Sequence, residues 1–456
     1  MISLSLAELA RITGGALHGD PDLRVNAPVS VDSRDIAAGG LFVALAGEHA
    51  DGHDFVAQAM TAGGAAVLAN RPVDAPAVIV DDVLAALSLL ARETTTRLKR
   101  DHGCIVVGVT GSQGKTSVKD LLGQVLAAAG PTIAAKGSFN NELGVPLTIL
   151  GADEKTKYLI VEMGARGQGH IDRLCQIAQP DIGVVLNVGT AHVGEFGSTE
   201  RIAEAKGELI AALGAAGTAV LNADDQAVSA MGKRTAANVI TFGASGDVLL
   251  SDVRVDEGGC PTFALAYGDE SVNVSLTFLG EHQAINAAAA AAVGVTVGMS
   301  LDSIGQALGA ARALSAMRME RSITAEGVII INDAYNANPE SMSAALRTLG
   351  RLGQQHSTYA VLGEMLELGE SSEGAHVAIG ALAAQLGITH VVVVGTGAAP
   401  IETGVRGART PTAVTRVVDV AAASELMKQL LKPGDVALIK ASRAGGLERV
   451  AAALLA

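Results

Sequence analysis

The sequence predicts an α/β protein in three domains: a small α/β unit over residues 1–103, a central unit with a mostly parallel sheet over 104–314, and a third α/β unit over 315–456. Three observations predict it. The chain has 456 residues, more than one ordinary core supports. A short apolar run, a polar or glycine-rich turn and a helical pattern recur along it, which is the signature of βαβ units. The recurrence falls into three blocks, the first closed by the charged stretch 97-RLKRDHG-103.

In the first block, strands are expected near 40-GLFVALAG-47, 64-GAAVLAN-70 and 77-AVIVDD-82, followed by a helix that ends at 97–103. The second block opens with the strand 104-CIVVGV-109 and a helix over 116–130, in which Val118, Leu121, Leu122, Val125 and Leu126 recur at helical spacing before Gly130-Pro131. Further strands are 158-YLIV-161, 182-IGVVL-186 and 218-TAVL-221. The third block begins near Met317 and alternates again, with strands at 328–331, 358–362, 390–395 and 436–440, a Rossmann-like arrangement.

Composition narrows the function classes. Hydrophobic residues make up 49% and aromatics 2%, with no Trp, so Ala, Val, Leu and Ile must fill the cores. A net charge of −14 argues against nucleic acid or an anionic membrane as partner. Cys104, Cys175 and Cys260 are odd in number and widely spaced, so a reducing compartment and neither disulfide framework nor zinc site is expected. Glu8 and Arg11 interrupt the N-terminal apolar stretch, against a signal peptide, and the Ala/Gly-rich run 287–299 is too short to span a bilayer. A cytoplasmic monomer without membrane insertion is the expectation.

The stretch 108-GVTGSQGKTS-117 carries the chemistry. The common phosphate loop, G-x-x-x-x-G-K-[ST], would need glycine at 109, which is Val. Yet Gly111, Gly114, Lys115 and Thr116 stand in order between a strand and a helix. Glycines there let backbone N–H groups close on phosphate oxygens at the positive end of the helix. Lys115 can reach terminal phosphates and the Thr116 hydroxyl can hold Mg²⁺. The central unit therefore reads as a P-loop-type sheet binding a nucleoside triphosphate; the bland alternative is a glycine-rich strand-to-helix turn.

In open parallel sheets, ligands bind at the C-terminal ends of the strands. The four central strands end in TGSQGKTS, in Glu162-Met163-Gly164, in 187-NVGTAH-192 and in 222-NADD-225, and these tails should converge. Glu162 reads as a Mg²⁺ carboxylate or as a boundary Glu that reaches solvent. His192 alone carries little weight. Lys206, in 201-RIAEAKGELI-210, reads by itself as a solvated helical Lys paired with Glu204 or Glu208. Neither a GTPase NKxD nor a kinase HRD motif is present.

With these residues in view, the chain resembles the Mur ligase family of ATP-dependent amide ligases, whose phosphate loop reads T-G-[ST]-x-G-K-[ST], as 110-TGSQGKT-116 does here. The resemblance runs over the whole chain. Within the family, 137-GSFNNELGVPLTIL-150, 161-VEMGARGQGHI-171, 187-NVGTAHVGEFGS-198, 332-NDAYNANPESM-342 and 362-LGEMLELGESS-372 resemble the branch that joins D-alanyl-D-alanine to UDP-N-acetylmuramoyl-tripeptide. Residues 31–55 resemble a uridine-nucleotide-binding domain, and the DNPR-type motif of the neighbouring amino-acid-adding branch is absent.

The resemblance implies ATP and Mg²⁺ as cofactors, and a P-loop cradle of Thr110, Gly111, Ser112, Gln113, Gly114, Lys115, Thr116 and Ser117. Thr116 and Glu162 would hold the nucleotide's Mg²⁺, and Glu162, His192 and a carbamylated Lys206 a second. Asn286, Arg318, Asp333 and Tyr335 would contact the nucleotide, with Arg318 at the terminal phosphate. Lys115, Glu162, His192, Lys206 and Arg318 would be the catalytic set. Ser30, Asp32, Ser33, Arg34, Gly47, Asn140, Asn141, Asn336 and Asn338 would contact the two substrates. Rival readings are a sister ligase adding a single amino acid, a folyl-polyglutamate synthetase, or a non-ligase P-loop ATPase. Two segments depart from the family pattern: 164-GARGQGHI-171, and 440-KASR-443, where Ala441 replaces a Gly. Lys440 and Arg443 are accordingly left out of the expected site.

Overall fold

The computed structural model describes residues 1–47, 50–190, 193–353 and 356–456. Among them, the larger strands form three sheets. The first has five strands in the order Ala16–His18, Ala77–Ile79, Ala66–Ala69, Gly40–Val43, Ala27–Ser30, parallel except at the Ala16–His18 edge. The helix Val83–His102 follows, capped by Asp82 at its start and by left-handed Gly103 at its end. Lys99, Arg100 and His102 in its last turn complement the helix dipole. The face carrying Leu87, Leu90 and Leu98 joins one hydrophobic cluster that extends from Leu4 and Leu41 to Val106 and Val161 of the next sheet. The charged end at 97–103 thus marks the end of an element without breaking the core.

The second sheet has nine strands. Its parallel part runs Asn238–Gly243, Thr218–Asn222, Ile182–Val185, Ile105–Thr110, Tyr158–Glu162, Thr132–Ala134. The four central strands, Thr218–Asn222, Ile182–Val185, Ile105–Thr110 and Tyr158–Glu162, are buried on both faces, as their unbroken apolar runs require. Beyond them Val248–Val255 joins parallel, and Pro261–Tyr267 and Glu270–Ser275 continue antiparallel, an extension the sequence reading did not place. In Val248–Val255 buried and exposed residues alternate, as in an antiparallel strand with one solvated face. The helix after the phosphate loop spans Lys115–Ala127, starting one residue and ending three residues before the expected bounds. It packs against Gln283–Thr296, whose Ala287–Ala292 run is wholly buried. Among the described residues no helix is long and apolar enough to cross a membrane.

The third sheet has six strands in the order Glu320–Ile323, Ile329–Asn332, Val436–Lys440, Thr358–Leu362, His390–Val394, Ala413–Val417. All neighbours are parallel except the Glu320–Ile323 edge. The chain leaves Ile329–Asn332 in one direction, and the last strand returns between it and Thr358–Leu362. That reversal of strand order opens a crevice at the C-terminal strand ends.

The phosphate-loop helix also grips the segment joining the second and third sheets. Gln124 Oε1 accepts from Arg312 N at 2.9 Å and Asp120 Oδ2 from Ser315 N at 3.0 Å. Lys119 Nζ lies 2.6 Å from Asp120 Oδ1 and donates to the carbonyls of Ala135 at 2.8 Å and Gly137 at 3.0 Å. Both side chains are buried. Removing one partner of a buried ion pair leaves the other charge uncompensated, so Lys119→Met is expected to lower unfolding stability by about 3–5 kcal/mol. Urea unfolding with an unchanged m-value checks this; a loss below about 1 kcal/mol would mean that water replaces the lysine.

Candidate active site

Four strand tails meet at one edge of the second sheet. Thr110 Oγ1 donates to Met163 O at 2.9 Å. Ser112 N donates to Asn187 O at 3.1 Å and Gln113 N to Asn187 Oδ1 at 3.0 Å. Asn222 Nδ2 donates to Leu186 O at 2.8 Å, and Val188 N to Asp225 Oδ2 at 2.8 Å. Between the tails the loop turns on two glycines. A Cβ at Gly111 would lie 2.9 Å from Leu186 Cβ. Gly114 has φ +80°, and a Cβ there would lie 2.7 Å from Asn286 Oδ1. Only glycine lets the backbone enter the helix so close to Asn286. The first N–H groups of Lys115–Ala127 have no partner within the helix, and its positive end points into the loop.

A polar cluster lies against this helix start. Thr116 Oγ1 donates to Glu162 Oε2 at 3.0 Å and is 2.9 Å from Ser138 Oγ. Asn140 Nδ2 donates to Glu162 Oε1 at 2.7 Å. Glu162 is 1% exposed, so the reading of a boundary Glu reaching solvent is excluded. Lys115 Nζ donates to Gly111 O at 2.7 Å. Burial pushes the Lys115 pKa down, Glu162 opposes the shift and Arg318 adds to it.

Lys206 corrects the surface-lysine reading. It is 5% exposed, and its ammonium makes no hydrogen bond or ion pair among the described residues. Its supposed partners are engaged elsewhere: Glu208 accepts from Gly169 N and Asp172 N, and Glu204 from Gln168 Nε2. Burial, and then the charge of Lys115, push its ammonium well below the usual lysine range. The period of its helix, Thr199–Ala211, turns Lys206 inward with Ile202, Ala205, Leu209 and Ile210. His192 lies outside the described residues. Among the described residues no three His, Cys, Asp or Glu side chains cluster as a metal site.

The third sheet supplies the opposite wall. Arg318 sits between Met317 at φ +58° and Met319 at φ +51°. Such left-handed backbone costs about 1–3 kcal/mol per non-glycine residue. It is held by Met317 N on Glu320 Oε2 at 2.9 Å and Met319 N on Asp333 Oδ1 at 3.1 Å. The Arg318 guanidinium stacks 4.2 Å from the Tyr335 ring centroid. Its Nη2 reaches 3.3 Å from both Thr116 Oγ1 and Ser138 Oγ. Asp333 Oδ2 accepts from Lys440 Nζ at 2.6 Å, and Lys440 also donates to Asn336 O at 2.8 Å.

Together the two walls enclose a cleft of about 790 Å³. It is lined by Ser112, Gln113, Gly114, Lys115, Thr116, Ser117, Asn140, Asn141, Glu162, Lys206, Asn286, Arg318, Asp333, Tyr335, Asn336 and Asn338 of the expected site. Thr110 and Gly111 stand behind the loop as supports. Ser30, Asp32, Ser33, Arg34 and Gly47 are not brought to the cleft. They sit at the end of the strand Ala27–Ser30 and on loops of the first sheet, where Arg34 chelates Asp32 at 2.9 and 2.7 Å and holds its carboxyl at about 2, and Ser33 Oγ donates to Gln58 Oε1. The cleft also takes in Arg166, His170, His282, Lys440 and Arg443, which the sequence reading did not select. For Lys440 the signal was its place at the C-terminal end of a buried strand, where a lysine needs a carboxylate.

Comparison with known proteins places this geometry. Residues 109–294 match the Mur ligase middle domain, 317–443 the Mur ligase glutamate ligase domain, and 27–101 the Mur ligase family catalytic domain. The chain is 45% identical to the UDP-N-acetylmuramoyl-tripeptide–D-alanyl-D-alanine ligase of Mycobacterium tuberculosis, over 100% of this chain and 98% of that protein. It is 35% identical to the protein of the same name from Escherichia coli, over 100% and 99%. A crystal structure of MurF from Acinetobacter baumannii superposes with TM-score 0.86 at 32% identity, covering 99% of both chains. The MurF ligase of Thermotoga maritima in complex with ADP superposes with TM-score 0.78 at 32% identity, covering 94% of this chain and 97% of that one.

Proposed function

We infer the activity from one premise: the chain belongs to the Mur ligase family. It is an ATP-dependent ligase that joins D-alanyl-D-alanine to UDP-N-acetylmuramoyl-tripeptide in peptidoglycan synthesis, using ATP with Mg²⁺. The observation that carries the reading is Arg318 reaching the phosphate-loop hydroxyl of Thr116 across the cleft.

A carboxylate does not acylate an amine at neutral pH, because its oxygen is a poor leaving group. Transfer of the γ-phosphoryl group of ATP to the tripeptide's terminal carboxylate gives an acyl phosphate and releases ADP. Attack by the amine of D-alanyl-D-alanine then forms the amide and releases phosphate. Such transfer depends on positioning and charge neutralisation. Lys115 and Arg318 bring fixed positive charge to the phosphates from opposite walls. The residues present suit Mg²⁺: Glu162 with the Thr116 and Ser138 hydroxyls is a buried set of hard oxygen donors. When bound, Mg²⁺ supplies the charge that lets carboxylate and γ-phosphate approach. Glu162, His192 and a carbamylated Lys206 would hold a second ion.

Asn286, Asp333 and Tyr335 contact the nucleotide in this reading. Ser30, Asp32, Ser33, Arg34 and Gly47 hold the uridine end of the tripeptide substrate, Asn140 and Asn141 its reacting end, and Asn336 and Asn338 the incoming dipeptide. The first unit, over 1–103, binds the UDP substrate, the unit over 104–314 the nucleotide, and the unit over 315–456 closes over the nucleotide and binds the incoming amine. The protein works as a cytoplasmic monomer.

Phosphate release with ATP, Mg²⁺ and UDP-N-acetylmuramoyl-tripeptide is expected to depend on D-alanyl-D-alanine. Turnover with free D-alanine but not the dipeptide would overturn the assignment. Release that needs no carboxylate substrate would make the protein a plain ATPase.

A further inference from the structure

The helix Pro339–Leu352 begins with a first turn that is fully built: Asn338 Oδ1 accepts from Ser341 N at 2.8 Å, Ser341 Oγ accepts from Asn338 N at 3.1 Å, and Pro339 needs no hydrogen-bond acceptor. Glu340 is therefore not required as a cap. Its carboxylate reaches out of the third unit instead. Glu340 Oε1 accepts from both Thr190 N and Thr190 Oγ1, each at 2.8 Å. The approach is close: a Cβ at Gly189 would lie 3.1 Å from Glu340 Oε1 and would crowd the carboxylate. The contact continues inward. Gly189 N donates to Ser112 Oγ at 2.8 Å, and Ser112 N donates to Asn187 O at 3.1 Å. The Thr190–Glu340 and Gly189–Ser112 hydrogen bonds so connect the third unit to the phosphate loop, through the segment that leads toward His192.

The other carboxylate oxygen, Glu340 Oε2, is buried and has no hydrogen-bond partner among the described residues. Leaving it unpaired is unfavourable, so the contact is held through Oε1 alone. We propose that Glu340 is a positioning residue: docking of the third unit delivers its Oε1 to Thr190, which sets the 187–190 segment and with it Ser112 of the phosphate loop. This deepens the ligase reading and rests on it. Glu340 touches no substrate in this role. It makes the loop geometry depend on closure, so that chemistry waits for the third unit. Gly194 N on Glu367 O, at 3.0 Å, shows the same two units meeting just beyond the segment.

The test has an arm that does not depend on turnover. In the free protein, the Thr190 amide is expected to exchange at least about tenfold faster with solvent in Glu340→Ala than in wild type, because it loses its acceptor. Amides of the strand Ile182–Val185 should stay unchanged and report an intact fold. In steady state, Glu340→Ala is expected to lose about tenfold or more in kcat with less than about threefold change in KM for ATP and for UDP-tripeptide, since small misplacement of reacting groups costs rate before binding. Glu340→Gln keeps an acceptor oxygen and should restore kcat to within about threefold of wild type. Unchanged Thr190 exchange in Glu340→Ala overturns the proposal, and so does a kcat loss equal in the Ala and Gln variants. If wild type shows no dipeptide-dependent phosphate release, the ligase reading fails while the exchange arm still decides the Glu340–Thr190 contact.

Discussion

Replacing Lys206 by methionine is expected to remove turnover and to raise the melting temperature together. The side chain lies in the cleft, buried, next to the positive Lys115 and without an acceptor among the described residues. Burial and the charge of Lys115 therefore favour loss of its proton on folding. The unfolded chain keeps that proton up to about pH 10.4, and the folded protein releases it at lower pH. Between those two values the unfolded state binds more protons, so wild-type stability rises with pH across the window and is most reduced at its acidic side. Methionine fills similar space with no proton to lose, so its advantage in melting temperature should shrink as pH rises.

A neutral amine is also the form that adds carbon dioxide. The nitrogen bonds to the carbon, a proton leaves, and an anionic carbamate stands where an ammonium would repel Lys115. That chemistry is why a buried lysine with no partner suits a site that gathers cations. Turnover in Lys206→Met should fall by about 10²–10³-fold or more, the loss seen when one charge-stabilising group is removed. Phosphate release and calorimetry across pH check the pair of effects. A fall in melting temperature would make Lys206 a structural residue, and retained turnover would remove it from the centre.

Glu162→Gln carries the second large effect. Glu162 ends the strand Tyr158–Glu162 and receives hydrogen bonds from Thr116 and Asn140. Glutamine keeps the shape, and an amide flip at Asn140 can keep that side's hydrogen bond, so the fold should hold. What is lost is the negative charge in the oxygen-donor set. Turnover is expected to drop by about 10²–10³-fold, and the gain in nucleotide affinity on adding Mg²⁺ should largely vanish. Titration calorimetry with and without Mg²⁺ reads this directly; an unchanged Mg²⁺ dependence would place the ion elsewhere. Glu162 also supports the Lys115 ammonium, so the variant should shift Lys115 further toward neutrality.

Much of the site could be read because its logic is local. Gly111, Gly114, Lys115 and Thr116 lie within one strand–loop–helix unit, where backbone conformation and hydrogen bonding are decided by neighbours in the chain. The four strand tails could be brought together in advance because buried parallel strands present the same end to one edge. The hairpin region over Val248–Ser275 is equally local in its alternation, but it carries no continuous apolar run to mark it as strand. Glu204, Lys206 and Glu208 show where local reading fails. Their spacing suits surface ion pairs, but which face of a helix is covered depends on what packs there.

The chain's own order of residues therefore determined the α/β class, the phosphate cradle and the strand-end position of Glu162, since each follows from short-range sterics and side-chain periodicity. Tertiary structure alone decided that Lys206 is buried beside Lys115, that Lys440 pairs with Asp333 at 2.6 Å, and that Arg318 crosses to Thr116. Those contacts join residues more than 90 positions apart. Their energies come from desolvation and charge at close range, which exist only once separate units share a dry boundary.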